Sequence, residues 1–306
     1  MSRKFLLALV IAFSALLCGC TDYTELGNRA IIQAVAIDFD GRYKVSALLF
    51  SSGGSGGDTI DASQENVIKI SGSGKTLCEA IDSISLADGK KIYMSETKLL
   101  ILGGGFEHQS VLPALNSLYY DLRCSLNMPV CCAEKAELLT DLQFIEGITS
   151  AEKPLSMLEN AHNLGFAPKT TLLDLLADNT AEKASLIPRF VPDKNGRGMT
   201  ESGDTIRISG TQYLKNGKLG DKFDENQTIS LLISENKIKT LSLNYICEKA
   251  EKTCIAYNIK SESKLNGIET EYKVTAKFKT KNGGSLSEKE KTAALEKLYE
   301  IVYSLK

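Results

Sequence analysis

The sequence predicts an α+β, multidomain chain: a mixed α/β N-terminal part, an antiparallel-sheet-rich region, then a C-terminal amphipathic helix. Three observations carry this expectation. Strand-like apolar runs alternate with helical spacings as far as about residue 190. Beyond residue 204 strand-like runs are separated by turn signals instead. The last stretch, from Ser287 to Leu305, holds the strongest helical stripe of the chain. A length of 306 residues suits two or three domains at ~100–200 residues each. The divisions expected are a leader over 1–19, an α+β part over 20–190 and a strand-rich part over 204–306.

The leader comes first. Arg3 and Lys4 precede an almost unbroken apolar run from Phe5 to Leu17, a layout too short for a stable membrane span and typical of a secretory signal. It ends in Leu17-Cys18-Gly19-Cys20, with leucine three positions before a cysteine and glycine just before it. That is the layout of a bacterial lipobox, in which the thiol of Cys20 takes a diacylglyceryl group and the chain is cut after Gly19. An ordinary signal peptide ending near cysteines is the alternative, and Cys18 keeps it open. The two acyl chains of that group on Cys20 would be enough for lasting anchorage, where one chain binds only reversibly. The chain after Cys20 is then expected to be a lipoprotein body on the outer side of a membrane.

Arg29 to Asp38 reads as a buried strand, Asp40-Gly41 as a hairpin signal, and Tyr43 to Phe50 as the returning strand. Ser51 to Gly57 has little to pack and reads as an exposed loop. Val67 to Ile70 is the third strand. Ser71-Gly72-Ser73-Gly74 then reads as a turn into a helix over Thr76–Ala87, with Leu77, Ala80, Ile81 and Ile84 on one face. Lys98 to Leu102 is a strand ending in three glycines, and Val111 to Leu122 is a helix with Pro113 in its first turn. A short strand over Asn127–Cys132 and a helix over Ala133–Thr140 follow. Leu155–Leu164 and Thr171–Ala177 are helical, and the stretch with Pro188, Pro192 and Asp193 to Gly203 reads as a loop and boundary.

The second half reads as strands at Thr205–Leu214, Thr228–Ile233, Lys237–Tyr245, Thr253–Lys260 and Ile268–Phe278, with turn signals at Asn216-Gly217 and Asn266-Gly267. Tyr272, Val274, Ala276 and Phe278 alternate onto one face. In the terminal helix Ser287 and Glu290 have capping-box spacing, and Leu295, Leu298, Val302 and Leu305 form the stripe.

Composition excludes several functions. A hydrophobic content of 43% suits a chain with a real core, and a net charge of −2 argues against nucleic acid as a partner. Removing Arg3 and Lys4 with the leader makes the body more acidic still. There are 8 cysteines but only His108 and His162, and no C-x-x-C, so no zinc or iron–sulfur cofactor is expected. Cys247 and Cys254 flank a predicted hairpin and either face each other across it or are small buried residues. Ser71-Gly72-Ser73-Gly74-Lys75-Thr76 looks like part of a phosphate-binding loop. It has Lys69 where that pattern needs its first glycine, so a turn with Thr76 as helix cap is the reading preferred. Gly103-Gly104-Gly105 lacks dinucleotide spacing, no G-x-S-x-G elbow is present, and Asp174 and Asp178 read as solvated surface. No catalytic residue is expected, and the chain is read as a non-enzyme.

Several stretches together resemble one family. The lipobox is followed by Cys20-Thr-Asp-Tyr-Thr-Glu-Leu-Gly-Asn-Arg-Ala-Ile-Ile-Gln-Ala-Val-Ala-Ile-Asp38, then Gly74-Lys-Thr-Leu-Cys-Glu-Ala-Ile81 and Lys91-Ile-Tyr-Met-Ser-Glu-Thr-Lys-Leu-Leu-Ile-Leu-Gly103. Ile208-Ser-Gly-Thr-Gln-Tyr-Leu-Lys-Asn-Gly-Lys-Leu-Gly220 completes the order. This resembles the Ger(x)C family, the C-subunit lipoproteins of nutrient germinant receptors in spore-forming bacteria. The resemblance implies a multidomain α+β lipoprotein on the outer face of the spore inner membrane. Its implied partners are integral membrane A and B subunits and the lipid bilayer, and the one site carried over is lipid attachment at Cys20. It also implies a truncated or minimal third domain, since family members continue past the long helix.

Two other readings stand beside it. A solute-binding lipoprotein would capture a small ligand for an importer, against which stand 7% aromatic content and no tryptophan. A structural lipoprotein of the cell envelope is the third.

Overall fold

The computed structural model describes residues 29–50, 67–141, 151–193, 205–266 and 269–304. Strand β1 (Arg29–Phe39) pairs antiparallel with β2 (Tyr43–Phe50) around a turn with Gly41 at φ 69°. The hairpin is the one the Asp40-Gly41 signal predicts. Strand β1 is buried on both faces, with Val35 and Ile37 in one core and Ala34 and Ala36 in another, so it reads as an unbroken apolar run.

Strand β3 (Val67–Gly74) pairs antiparallel with β2 along its whole length, from Phe50↔Val67 to Tyr43↔Gly74. The Ser-Gly-Ser-Gly stretch is therefore strand and not the expected turn. The reason is steric. Helix α1 (Leu77–Asp88) lies so close that a Cβ on Gly72 would collide with the Ala80 carbonyl and Ser83. One on Gly74 would come within 2.5 Å of Ala80 N. Thr76 caps α1 by accepting from Glu79 N, and Leu77, Ala80, Ile81 and Ile84 form the buried face, both as the spacing predicts.

Strand β4 (Lys91–Tyr93) runs parallel to the start of β1, and β5 (Leu99–Leu102) runs parallel to it further along. The glycines after β5 lead into a 3-10 turn, Gly104–Glu107. Helix α2 (Leu112–Tyr120) has Pro113 in its first turn. Next come β6 (Val130–Ala133), the single turn α3 (Leu138–Asp141), and helices α4 (Glu152–Asn163) and α5 (Leu172–Thr180). The helix expected from Ala133 is confined to that turn, because Ala133 itself still belongs to β6.

Pro188 and Pro192, read as marking a loop and boundary, lie instead in strand β7 (Ser185–Asp193), which pairs parallel with β6 and antiparallel with β8 (Thr205–Lys215). Pro188 is tolerated because the ladder shifts register between Pro188 and Phe190, and parallel pairing starts only at Arg189. Asn216 and Gly217, both at positive φ, turn β8 into β9 (Lys218–Phe223). The sheet order is β3-β2-β1-β5-β6-β7-β8-β9, with β4 also on β1. Helices α1, α2 and α5 contribute to the core on one face, and α3 and α4 to the core on the other.

Glu225–Ser234 is helix α6, not the strand expected over Thr228–Ile233. Asp224 and Gln227 close a capping box, and Thr228, Ile229, Leu232 and Ile233 are buried at helical spacing. Strands β10 (Thr240–Cys247), β11 (Ala250–Asn266) and β12 (Glu269–Thr280) form a second, antiparallel sheet. Helix α7 (Glu288–Val302) and α6 complete its core, which Leu186 of β7 also joins. The α7 capping box of Ser287 and Glu290 is as predicted, and Val274, with Tyr272, Ala276 and Phe278, faces this core. Within this second unit α6 and α7 are tied together where Ser230 Oγ donates to the Val302 carbonyl at 2.6 Å, buried from solvent.

Candidate functional site

The one residue expected to carry function, Cys20, lies outside the described residues. The structure shows where the chain coming from it enters the fold: at Arg29, the first residue of β1. The Arg29 guanidinium stands 5.4 Å from the centre of the Tyr93 ring on neighbouring β4. Among the described residues no helix is long and apolar enough to cross a membrane.

At the opposite end, where the parallel strands finish, Asp38 organises the glycine segment. Its Oδ1 accepts from Phe39 N at 2.8 Å and from Gly105 N at 3.0 Å. A Cβ on Gly103 would overlap the Asp38 carboxylate, and one on Gly105 would overlap the Phe39 carbonyl. Gly103 N donates to Ile37 O and Gly104 N to Glu134 O, so the segment is bound on both sides to protein. Its amides are spent on the fold, and no cradle for a phosphate is left. The Lys75-Thr76 stretch is likewise occupied: Lys75 N donates to Glu79 Oε2, and Thr76 caps α1.

Below the 3-10 turn, Lys222 stands 2.9 Å from Glu107, and Gln212 Nε2 donates to Glu107 at 3.1 Å and to the Gly220 carbonyl at 3.0 Å. The Lys222 ammonium holds the Glu107 carboxyl below its ordinary value. Cys132 Sγ points to Gln212 Oε1 and Pro188 O, and burial pushes its thiol up to about 12. That value makes Cys132 a poor nucleophile and a packing group.

A cleft of 330 Å³ opens between α4, the 168–170 segment, the start of β6 and Pro188 within β7. Its walls are Pro129, Val130, Leu155, Leu158, Pro168 and Pro188, with Glu159, His162 and Lys169 beside them. The His162 ring is held by a 3.4 Å contact between Nδ1 and the Ala167 carbonyl. The cleft suits a small apolar group, and no nucleophile–base pair is assembled in it. The sequence did not reveal it, because its prolines are scattered over separate elements and share no local pattern.

Among the described residues the cysteines, Cys78, Cys124, Cys131, Cys132, Cys247 and Cys254, are free thiols. Cys247 lies opposite Ala250 and Cys254 opposite Leu243, so the two do not face each other across the β10–β11 hairpin. Both are buried, as the second of the two readings had it. Among the described residues no group of three His, Cys, Asp or Glu is placed to hold a metal ion. Asp174 closes the α5 capping box with Thr171, and Asp178 accepts from Ser185 Oγ, so both serve the fold.

Residues 22–192 match the family model described as the spore germination protein N-terminal domain, more than half of the chain. The chain is 27% identical over 269 residues to spore germination protein KC of Bacillus subtilis (strain 168). That alignment covers 80% of this chain and 65% of the relative, so the chain spans about two thirds of the relative's length. The crystal structure of the GerBC protein aligns at 17% identity and a TM-score of 0.48, over 88% of this chain and 79% of that one. The segments quoted above between Asp22 and Gly103 lie inside the matched region. On that match the chain belongs to the Ger(x)C spore germination protein family.

Proposed function

We propose that the chain is the lipid-anchored C-type subunit of a nutrient germinant receptor and acts in spore germination without catalysing a reaction. The observation that carries this reading is the family match over residues 22–192, which begins two positions after Cys20. The relative's name places that protein in spore germination. In this reading Cys20 holds the body to the outer face of the spore inner membrane. The body then offers its surface to A-type and B-type integral membrane subunits. The polar groups singled out above are engaged within the chain, the Asp38 carboxylate by Gly105 N, Glu107 by Lys222, and the Cys131 and Cys132 thiols by backbone carbonyls.

The test is a Cys20→Ala replacement in spores that carry no other copy of the chain. The expected result is loss of the protein from the membrane fraction together with loss of nutrient-triggered germination. Unchanged germination on every nutrient would overturn the anchored-receptor reading.

A further inference from the structure

The two ends of the large sheet present different chemistry to solvent. At the end where β1 begins, Tyr93 lies beside Ile31, Ile31 beside Phe50, and Phe50 beside Val67, so one row crosses four strands. Helix α1 runs back toward this end, because Gly74 lies under Glu79 and Ala80 whereas Gly72 lies under Ser83 and Ile84. From its last residues the chain passes through Gly89 into β4, beside Arg29. Three large apolar side chains are exposed here: Leu86 at 86%, Ile68 at 49% and Tyr93 at 39%. Arg29 stacks on Tyr93, Lys69 follows Ile68, and Lys91 opens the strand that holds Tyr93. The other end carries exposed charge instead, with Asp40, Arg42, Lys75, Glu134 and Glu137.

We propose that the end of the sheet where β1 begins rests on the bilayer, with Leu86, Ile68 and Tyr93 set into the headgroup region. The proposal rests on Cys20 being the lipid-bearing residue. Cys20 and Arg29 are nine positions apart. At ~3.3–3.6 Å per residue the connection reaches at most about 30 Å, so this is the end the tether holds at the surface. A short tether gives an effective local concentration in the millimolar range, and contacts too weak to recruit a free protein become populated. Tyrosine with a neighbouring cation and aliphatic side chains is the mixture favoured at the lipid–water boundary. The chain's net charge of −2 means that apolar contact leads and the basic side chains orient.

The chain has no tryptophan, so one introduced indole reports alone. The lipidated full chain would be placed on vesicles of phosphatidylglycerol and phosphatidylethanolamine as Leu86→Trp and, at the far end, as Arg42→Trp. Both sites are exposed, so neither replacement disturbs a core. The expected result is a blue-shifted Leu86→Trp emission that is lost with lipids brominated near the headgroup, while Arg42→Trp keeps its emission in water. If the protein floats with the vesicles but Leu86→Trp still emits as in water, the resting surface is overturned and the anchor stands. If the protein does not float, anchor and surface fall together. Protection of Leu86→Trp only in native spore membranes, and not on pure lipid, would assign this end to a protein partner and overturn the lipid contact.

Discussion

Gly72 and Gly74 show how one residue type carries two meanings. Read in sequence, Ser-Gly-Ser-Gly marks a turn or a fragment of a phosphate loop; in the fold it is a strand whose missing side chains let α1 lie against it. Glycine permits turns and close approaches alike, and only the partner element tells them apart. Gly74→Ala is expected to cost about 1–3 kcal/mol by overpacking, read by denaturant unfolding. Gly220→Ala, where an added methyl meets nothing within 4 Å, should be near neutral. Caps were legible because their partners are local: Thr76 and the Ser287–Glu290 box stand as predicted.

Glu290 adds a pH dependence. Lys252 donates to its Oε1 and the Ser287 backbone and hydroxyl to its Oε2, each at 2.8 Å, which lowers the carboxyl from 4.5 to about 2. A carboxyl depressed in the folded state stabilises above its ordinary value, and that contribution disappears as pH falls from about 4.5 toward 2. Far-UV circular dichroism should show α7 loosening in that window in the native chain. Glu290→Gln should lack that acid step. Among the described thiols Cys78 alone is not buried, so a thiol reagent should modify it first. Cys124 and Cys132, each pushed up to about 12 by burial, should react only on unfolding.

At the scale of elements, α6 is the instructive difference. Thr228-Ile229-Ser230-Leu231-Leu232-Ile233 is β-branched and apolar enough to read as a strand, and its local propensity points that way. The deciding signal is just upstream, where Asp224 and Gln227 fix a helix start, and burial of Ile229, Leu232 and Ile233 then selects the helical face. Asp224→Ala should cost about 0.5–2 kcal/mol as a lost cap. Leu232→Ala, fully buried in the core shared with the second sheet, should cost about 2–5 kcal/mol. Both are read by denaturant midpoints. Strand β7 was hidden by Pro188 and Pro192, and only the register shift at Pro188, invisible in one sequence, makes room for it. By contrast β1, β2, β5 and β12 were legible, since continuous or alternating apolar patterns leave one arrangement relative to the core.

At the scale of the whole molecule, a large mixed sheet covered by helices on both faces is joined to a small antiparallel sheet capped by two helices. The α+β character was legible in the change of texture along the chain. The way β8 and β9 extend the first sheet was not, because that depends on long-range pairing with β7. The proposed anchor at Cys20 rests on a local sequence pattern alone, whereas the apolar end of the sheet emerges only when β3, α1 and β4 are folded together.

The central claim is that this body works as one subunit of a membrane receptor. Affinity purification of the tagged full chain from detergent-solubilised spore inner membranes tests it most directly. Recovery with two integral membrane proteins in comparable amounts is the predicted result. Recovery of the chain alone, or with the components of a solute importer, would contradict it.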